Sequence, residues 1–541
     1  MLVKFVRKHW PLLILLLVFG WLFFNLLSSH MLLAKNDGLY SGGSTWGDLA
    51  FHLSLITAIS ERGGSALEEH PVFPGEKLRY PFISDLISAL LVKMGVGLRW
   101  SLILPSFAFL MVLIALFYFL VWKITKSKIG ALLVPFLFFF NGSTFGLGYF
   151  FEDFKKSGLG FLTFLGRMTK QYAHLADYHI NFSNIIADYI LPQRAVILGL
   201  LLGVAVVYFL WDYWQNRNPK KLLFAGLISG FSPLVHTHTF MALAIVAGLL
   251  LIIDFFQHLK NFRKIIVSWL WFFVPMIFLA LPQVLWLLPS SGEGFFKFGF
   301  GWMKDGQNFF WFWFRNLGLY LVAFIAAFIF SRPKLKTFYL PFFGLFIISN
   351  VVIFQPHIYD NMKVMLWWFL LSVILIGDWF GALRKKLGKK SYPVIIAIFL
   401  LLIPTGFLSV FRETYVSWQF FSKEDLALAE FVKNNTPKEA IFLTSDRHNH
   451  PVPCLAGRRI LMGYRGWLWT HGINYRQRET DIIATYEGGE KSLNLLKQYN
   501  VNYVVIEKEK IVDFHMNPSF FEKNFPLIYQ SPNFSVFKIV I

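Results

Sequence analysis

The chain has 541 residues, a net charge of +20 and a mean hydropathy of +0.53, with 56% hydrophobic and only 15% charged residues. Soluble domains carry about 25% charged residues, so the composition excludes an ordinary soluble enzyme, and the high apolar content excludes a disordered chain. A single cysteine, Cys454, excludes a disulfide framework and a cysteine-rich zinc or iron–sulfur site.

Apolar runs recur from the N-terminus to about residue 411 and predict about 11 transmembrane helices, since roughly 20 apolar residues cross a bilayer. The runs lie at 10–33, 98–122, 129–146, 190–211, 221–236, 239–256, 265–288, 316–330, 337–354, 362–381 and 391–411. The first run follows Lys4, Arg7 and Lys8 and is too long for a signal peptide, so we expect an uncleaved anchor. These patterns predict an α-helical polytopic membrane protein.

The basic residues predict its orientation, because short cytoplasmic loops are enriched in Lys and Arg. The basic N-terminus and the Lys/Arg run at 384–390 are assigned to the cytoplasm, which places the C-terminus outside. The excess positive charge is then explained by this asymmetry, and no nucleic-acid partner is needed. Residues 82–94 are too few to cross the bilayer, so we expect them to form a helix at the outer surface.

The polar sequence is concentrated on the predicted outer face. Residues 1–411 are predicted to form the transmembrane domain, with a large first outer loop at 34–97, and an aromatic segment at 295–314 is predicted to be an interfacial helix. Residues 412–541 are predicted to form a small extracytoplasmic α/β domain. Its elements are a helix capped by Ser422, β-like runs at 440–445, 459–464 and 501–507, helices at 475–487 and 489–499, and a hairpin near Pro532 and Asn533.

The first outer loop contains the strongest catalytic candidate. In the segment GDLAFHLSLITAISE, Asp48 and His52 lie one helical turn apart on the same face of a predicted helix. An aspartate in this position is suited to act as a general base, with the histidine as a positioning or substrate-binding partner. Alternatively, Asp48 only caps the helix or complements its dipole.

Other polar residues are predicted at the outer ends of the spans, where a lipid phosphate would lie. His236 and His238, in SPLVHTHTF, could contact a phosphate, bind a metal together with a carboxylate, or only pack a tight hairpin. Arg194 could pair with a phosphate or anchor its span at the interface. Lys363 could reach a phosphate with Asp360 orienting it, or Asp360 could simply cap a helix.

In the tail, two segments contain candidate functional residues: SDRHNHPVP and GYRGWLWTHG. Asp446, His448 and His450 could form a metal site, although their spacing is not typical of one. Four residues of the second segment could form a substrate-binding platform for a sugar or an acceptor: Tyr464, Arg465, Trp467 and Trp469. The alternative is a packed contact at the aromatic belt of the membrane.

The segment GDLAFHLSLITAISE, followed by a Pro-rich loop, Tyr80-Pro81 and a short apolar helix, resembles the glycosyltransferase superfamily C. The resemblance implies a multispanning enzyme that uses a polyprenyl-phosphate or polyprenyl-diphosphate sugar, with Asp48 at the position of the catalytic or metal-coordinating aspartate. Leu49 follows Asp48, so the Asp-Glu pair usual in the superfamily is absent. The resemblance therefore leaves a divalent metal such as Mg²⁺ or Mn²⁺ open, and we predict no protein metal ligand.

These observations favour a membrane glycosyltransferase that moves a hexose or pentose from a polyprenyl-phosphate donor to an acceptor outside the membrane. The acceptor would be a glycan, a lipid or a protein. An inverting transfer needs one base, whereas a retaining transfer needs a second carboxylate as nucleophile. The alternatives are a transporter or flippase of a lipid-linked glycan, a polysaccharide ligase or polymerase, and a non-catalytic assembly protein. The absence of disulfides fits a prokaryotic plasma membrane.

Overall fold

The computed structural model describes residues 2–288, 296–508 and 515–540, and most of its regular elements are helices. The helices of the first half are α1 Leu2–His30, α2 Leu49–Arg62, α3 Ile83–Lys93, α4 Leu98–Thr125, α5 Lys128–Phe139, α6 Gly146–Ser157, α7 Phe161–Leu165, α8 Arg194–Asn216, α9 Pro219–Gly230 and α10 Thr237–Gln257. Those of the second half are α11 Phe262–Leu287, α12 Phe309–Leu317, α13 Leu319–Phe330, α14 Pro333–Val351, α15 Met362–Leu387, α16 Ser391–Leu402, α17 Pro404–Glu413, α18 Lys423–Asn435, α19 Pro451–Cys454, α20 Arg465–Thr470, α21 Arg476–Glu487, α22 Glu490–Gln498 and α23 Pro518–Asn524.

The strands are short and form three sheets within the described residues. They are β1 Leu33–Lys35, β2 Gly38–Ser41, β3 Lys297–Phe298, β4 Val352–Ile353, β5 Trp418–Ser422, β6 Ile441–Leu443, β7 Arg459–Ile460, β8 Tyr503–Glu507, β9 Leu527–Gln530 and β10 Phe534–Lys538. The largest sheet has five strands in the order β7-β6-β8-β10-β9. Strand β6 is parallel to β7 and β8, whereas β10 is antiparallel to β8 and β9.

The described chain divides into two compact units. Unit 1 contains residues 2–28, 106–285 and 296–416, and it is built from apolar helices. Close helix packing in this unit depends on small residues, as is common between membrane helices. A Cβ atom on Gly130 of α5 would lie 2.7 Å from the backbone oxygen of Gly377 in α15, so only glycine allows this approach.

Unit 2 contains residues 29–105, 286–288, 417–508 and 515–540. Helix α2 packs against α3 and α19 in this unit, and strands β1, β2 and β5 form an antiparallel sheet. The five-stranded sheet also belongs to unit 2. The unit thus includes the segment predicted as the first outer loop as well as the segment predicted as the α/β domain, and the predicted domain division at residue 412 stays a prediction.

Helices occupy every predicted span, but not all of them are long. Among the described residues, six segments are long and apolar enough to cross a membrane: Arg7–His30, Leu98–Thr125, Arg194–Asn216, Thr237–Gln257, Leu259–Leu287 and Ile358–Leu402. The pair α12 and α13, bent by 95° at Gly318, would be a seventh. The predicted number of about 11 spans, their orientation and the outer location of residues 82–94 and 412–541 stay predictions.

The local elements predicted for the tail are observed. The side chain of Ser422 accepts a hydrogen bond from the backbone N–H of Asp425, and the Asp425 carboxylate accepts one from the backbone of Ser422, which completes a capping box for α18. Strands β6, β7 and β8 lie within the three β-like runs, β9 and β10 form the hairpin, and α21 and α22 fill the two helical patterns. The predicted helix in the aromatic segment 295–314 is wrong for the first part of that segment: Lys297–Phe298 form β3, and α12 begins only at Phe309, while residues 289–295 lie outside the described residues.

Candidate active site

Asp48 lies at the start of α2 in unit 2 and is half-buried. Its side chain makes no capping hydrogen bond with the first turn of the helix, so it does not have the capping role that the sequence left open. The backbone carbonyl of Asp48 accepts a hydrogen bond from the His52 N–H at 3.1 Å.

His52 interacts with a different carboxylate. Its Nδ1 lies 2.8 Å from Oδ2 of Asp85 on α3, and the side chains are 1% and 0% exposed. Because the carboxylate accepts the Nδ1–H hydrogen bond, Nε2 of a neutral His52 is an acceptor. This Nε2 atom is buried and has no hydrogen-bond partner among the described residues.

Two further histidines, His70 and His471, lie close to His52 within unit 2. Nε2 of His70 is 3.1 Å from Nδ1 of His471. The Phe51 and Tyr80 rings contact His471 at centroid distances of 5.0 and 5.2 Å, and Tyr80 also lies 6.1 Å from the ring of His52. Burial, and then the neighbouring His471, lower the pKa of His70 well below its usual value. We call this group of five residues the histidine–aromatic cluster: Phe51, His52, His70, Tyr80 and His471.

An aromatic face next to α20 includes part of the predicted platform. The ring of Trp46 contacts His448 at a centroid distance of 4.3 Å, and Tyr464 packs edge-on against Trp467 at 5.5 Å. Trp467 is buried, and its Nε1–H donates a hydrogen bond to the backbone oxygen of Gly47, the residue before Asp48. Trp46 remains about half exposed, so a flat apolar ring is available at this surface.

Arg465 is engaged by two carboxylates in the same unit. Its Nε lies 2.7 Å from Oδ2 of Asp446, and one terminal nitrogen lies 2.6 Å from Oε1 of Glu479. These ion pairs hold the start of α20 in place. The predicted substrate contact of Arg465 stays a prediction.

The structure does not support the metal site that Asp446, His448 and His450 could have formed. Asp446 pairs with Arg465, and the ring of His448 contacts Trp46 at a tilted angle. Nε2 of His450 lies 3.5 Å from Glu507. The three side chains therefore have different partners. Within residues 2–288, 296–508 and 515–540, no group of three or more His, Cys, Asp or Glu residues could hold a metal ion.

Unit 1 contains a separate polar cluster at the outer ends predicted for its helices. Lys363, at the start of α15, lies 2.8 Å from Oδ1 of Asp360, and the second carboxylate oxygen accepts a hydrogen bond from Gln355. The rings of His236 and His238 lie 5.3 Å apart, and both are within electrostatic range of Asp360 and Lys363. The structure therefore brings together four residues that were predicted from two distant segments.

The contacts of Asp360 and His236 in this cluster bear on the roles that the sequence left open for them. Asp360 does not cap α15: its carboxylate binds Lys363 and Gln355 instead. Nδ1 of His236 is 2.8 Å from Oγ1 of Thr239, while its buried Nε2 has no hydrogen-bond partner in the described part of the chain. A buried lysine with an oriented carboxylate and two histidines is an arrangement that can bind an anion.

Arg194 begins α8 and is only 3% exposed, so it lies inside unit 1 and not at its surface. Its Nε is 3.5 Å from Oγ of Ser106. This burial does not fit an interfacial anchor. A phosphate contact of Arg194 stays a prediction.

Sequence reasoning missed several residues of these two sites. Asp85 carried a signal, because an acidic residue inside the apolar segment PFISDLISALL is costly to bury without a partner. His70 and His471 lie 401 residues apart in sequence, and no local pattern connects them. Gln355 was also missed; its proximity to Asp360 in the loop before α15 was the available signal.

No protein-family model matches the chain, and no curated protein sequence is significantly similar to it. Solved structures match its fold. The oligosaccharyltransferase of Archaeoglobus fulgidus in the apo form has a TM-score of 0.56 at 12% identity, over 93% of this chain and 70% of that chain. The same enzyme, AglB, in complex with an inhibitory peptide and a dolichol-phosphate gives 0.53 at 13% identity with the same coverage.

ArnT from Cupriavidus metallidurans, bound to undecaprenyl phosphate, is similar over 97% of both chains, with a TM-score of 0.51 and 10% identity. Sequence identities this low establish similarity of fold alone. The chain thus shares its fold with an oligosaccharyltransferase and with ArnT. The chain is a membrane protein of this fold, with helices that are long and apolar enough to span a bilayer.

Proposed function

We propose that this chain is a membrane glycosyltransferase that moves a sugar from a polyprenyl-phosphate donor to an acceptor on the outer face of the membrane. The observation that carries the proposal is the fold, which nearly the whole chain shares with two enzymes whose structures contain a polyprenyl phosphate. Dolichol-phosphate and undecaprenyl phosphate present the same chemistry: an anionic head on a long apolar chain. A multispanning protein can bind both parts.

The donor phosphate is assigned to the polar cluster of unit 1. Lys363 is a cation next to Asp360, and Asp360 holds its ammonium group in one position. His236 and His238 add ring nitrogens at the same place. As the bond between sugar and phosphate breaks, negative charge grows on the phosphate, and preorganised donors in a site without bulk water stabilise that charge strongly.

The proton of the acceptor hydroxyl is assigned to Asp48. A single inverting displacement requires one carboxylate to accept this proton as the hydroxyl oxygen attacks the anomeric carbon. Asp48 is half-buried and does not use its side chain to cap α2. His52 is assigned a supporting role, since Asp85 fixes its ring beside the same helix turn.

The residues present do not make a preformed metal site. Asp48 is followed by Leu49, and no cluster of three metal-ligating side chains is found in the described residues. We therefore derive no step through a metal. The location that accompanies the proposal is a prokaryotic plasma membrane, with residues 412–541 outside the cell.

The proposal is tested with purified protein in lipid nanodiscs and a panel of radiolabelled polyprenyl-phosphate hexoses and pentoses. A crude glycan and lipid extract supplies the acceptors. We expect the consumption of one donor class and the appearance of a labelled product, with the polyprenyl phosphate released. A folded protein that consumes no donor, with or without added Mg²⁺ or Mn²⁺, would contradict the transferase function and favour a flippase, which moves the lipid without breaking the bond.

A further inference from the structure

Unit 2 contains a cavity of about 240 Å³ that none of the proposed catalytic residues lines. It lies at the carboxyl end of the parallel strands β6 and β8. Glu507, the last residue of β8, forms one side, and Arg447 and Asn449, in the loop that follows β6, form another. In sheets with parallel strands, ligands bind at this edge.

The charged groups of the cavity are fixed by internal contacts. Arg447 donates a hydrogen bond to the carboxylate of Asp425, which caps α18. Glu507 accepts a hydrogen bond from Ser445, and Nε2 of His450 lies 3.5 Å from its Oε1. Both acidic side chains are more than nine-tenths buried, so they form part of a built site and not a loose surface cluster.

The balance of charge limits the ligand. Burial raises the pKa of Glu507, but the adjacent His450 and the charge of Arg447 outweigh burial and bring it to about 2. The lining contains two acidic side chains, Asp425 and Glu507, and one guanidinium, Arg447, and this balance disfavours a phosphate or another anion.

The rest of the lining matches a polyol. Asn449 and Asn533 supply amide groups, and Phe420 and Phe534 supply an apolar wall. Carboxylates and amides bind vicinal hydroxyls, and an aromatic wall suits the C–H face of a sugar ring. The volume lies below the usual range of about 300–1,000 Å³ for ligand pockets, so it fits one small ring and excludes a lipid chain.

We propose that this cavity is a carbohydrate-binding subsite that takes one neutral pyranose unit. The inference goes beyond sugar transfer, because binding here requires neither Asp48 nor the cluster of unit 1. The pyranose could belong to a free or acceptor glycan or to the lipid-linked donor. The shared chemistry is a neutral ring with adjacent hydroxyl groups.

The test is saturation-transfer NMR on the full-length protein in nanodiscs, with methyl α-glucoside, methyl α-mannoside and methyl α-galactoside. Two variants are informative. Asn533→Phe fills the cavity from a partly exposed turn, and Glu507→Gln removes one carboxylate while keeping its shape. Glu522→Gln is the matched control, because Glu522 is an exposed carboxylate on α23 that does not line the cavity.

We expect saturable binding of at least one hexoside, weakened tenfold or more in Asn533→Phe and Glu507→Gln and unchanged in Glu522→Gln. Inorganic phosphate and ethanolamine should not displace it. The absence of hexoside binding by the folded wild type, equal binding by Asn533→Phe, or displacement by either charged compound would overturn the proposal. If Glu507→Gln fails to fold, Asn533→Phe decides, since the Asn533 side chain is partly exposed.

A second titration, with a polyprenyl-phosphate hexose, identifies the source of the ring. If Asn533→Phe weakens binding of this lipid as well as of the hexoside, the subsite holds the sugar of the donor. If it weakens only the hexoside, the subsite holds a glycan that is not lipid-linked. Because both titrations measure binding, they succeed or fail independently of any turnover.

Discussion

Nδ1 of His52 lies 2.8 Å from Oδ2 of Asp85, and both side chains are almost completely excluded from solvent. The contact joins α2 to α3 inside unit 2. It also fixes the tautomer of His52, because a carboxylate at Nδ1 keeps the proton there and leaves Nε2 as an acceptor. The residue that sequence spacing paired with Asp48 is thus held by a different aspartate.

Removal of Asp85 is expected to lower the free energy of unfolding and to release the ring of His52 from its fixed orientation. Asp85→Ala leaves the buried Nδ1–H of His52 without its acceptor, and breaking a buried pair costs about 3–5 kcal/mol. His52→Ala should cost a similar amount, and the double variant less than the sum of both, because the two residues share one interaction. Chemical unfolding monitored by tryptophan fluorescence measures all three. Additive losses would show that the contact contributes nothing.

If the polar cluster of unit 1 binds the lipid phosphate as proposed, removal of its cation should lower the affinity for that lipid. Lys363→Met should weaken binding of undecaprenyl phosphate in nanodiscs by about tenfold to a hundredfold, since a hydrogen bond to a charged group contributes about 1.5–3 kcal/mol. Lys297→Met, which removes an exposed lysine on β3, is the control. Unchanged affinity in Lys363→Met would assign the phosphate to another place.

The buried His70 predicts a dependence of stability on pH. The folded state lowers the pKa of His70 well below its usual value. Between the ordinary value of about 6.5 and the lowered one, the unfolded chain binds a proton that the fold excludes, so stability falls as the pH falls.

The measurement is the free energy of unfolding of wild type, His70→Asn and the exposed control His515→Asn at pH 7 and pH 5. The pH-dependent loss should shrink in His70→Asn and persist in His515→Asn. An identical loss in all three proteins would place the sensitive group elsewhere.

Gly457 allows the segment after α19 to pack closely against α2. Its φ of +67° belongs to the left-handed region, and a Cβ atom would lie 2.7 Å from the backbone oxygen of Thr57. Strain and overpacking together should make Gly457→Ala about 2–5 kcal/mol less stable. Gly64→Ala is the control, because a Cβ atom there meets nothing within 4 Å. Thermal unfolding of both variants checks the prediction, and equal stability would contradict it.

Local patterns predicted much of this fold. The capping box at Ser422 and Asp425 and the hairpin near Asn533 depend on residues only a few positions apart, and the structure contains both. The spans were predicted from hydropathy, which does not show where a helix breaks. Helix α9 ends at Gly230 and the chain continues irregularly to Thr237, so one predicted span is only a short helix.

The sites were predicted in part. His236 and Lys363, at the ends of two predicted spans, are found in one cluster, since each lies at the start of an apolar helix. The partner of His52 could not be deduced, since 33 residues separate it from Asp85 and the contact depends on how α3 packs on α2. Pairings that depend on tertiary packing leave only a weak trace in a single sequence.

The proposed role of Asp48 as the base is tested most directly by the turnover number of Asp48→Asn with the donor that the wild type consumes. Asp37→Asn, the same change at an exposed aspartate of the same predicted outer loop, is the matched control. We expect kcat of Asp48→Asn to fall by a factor of about 10²–10⁴, with binding of undecaprenyl phosphate and Tm unchanged, and we expect wild-type turnover for Asp37→Asn. Equal turnover by Asp48→Asn and wild type would contradict this expectation and remove Asp48 from catalysis.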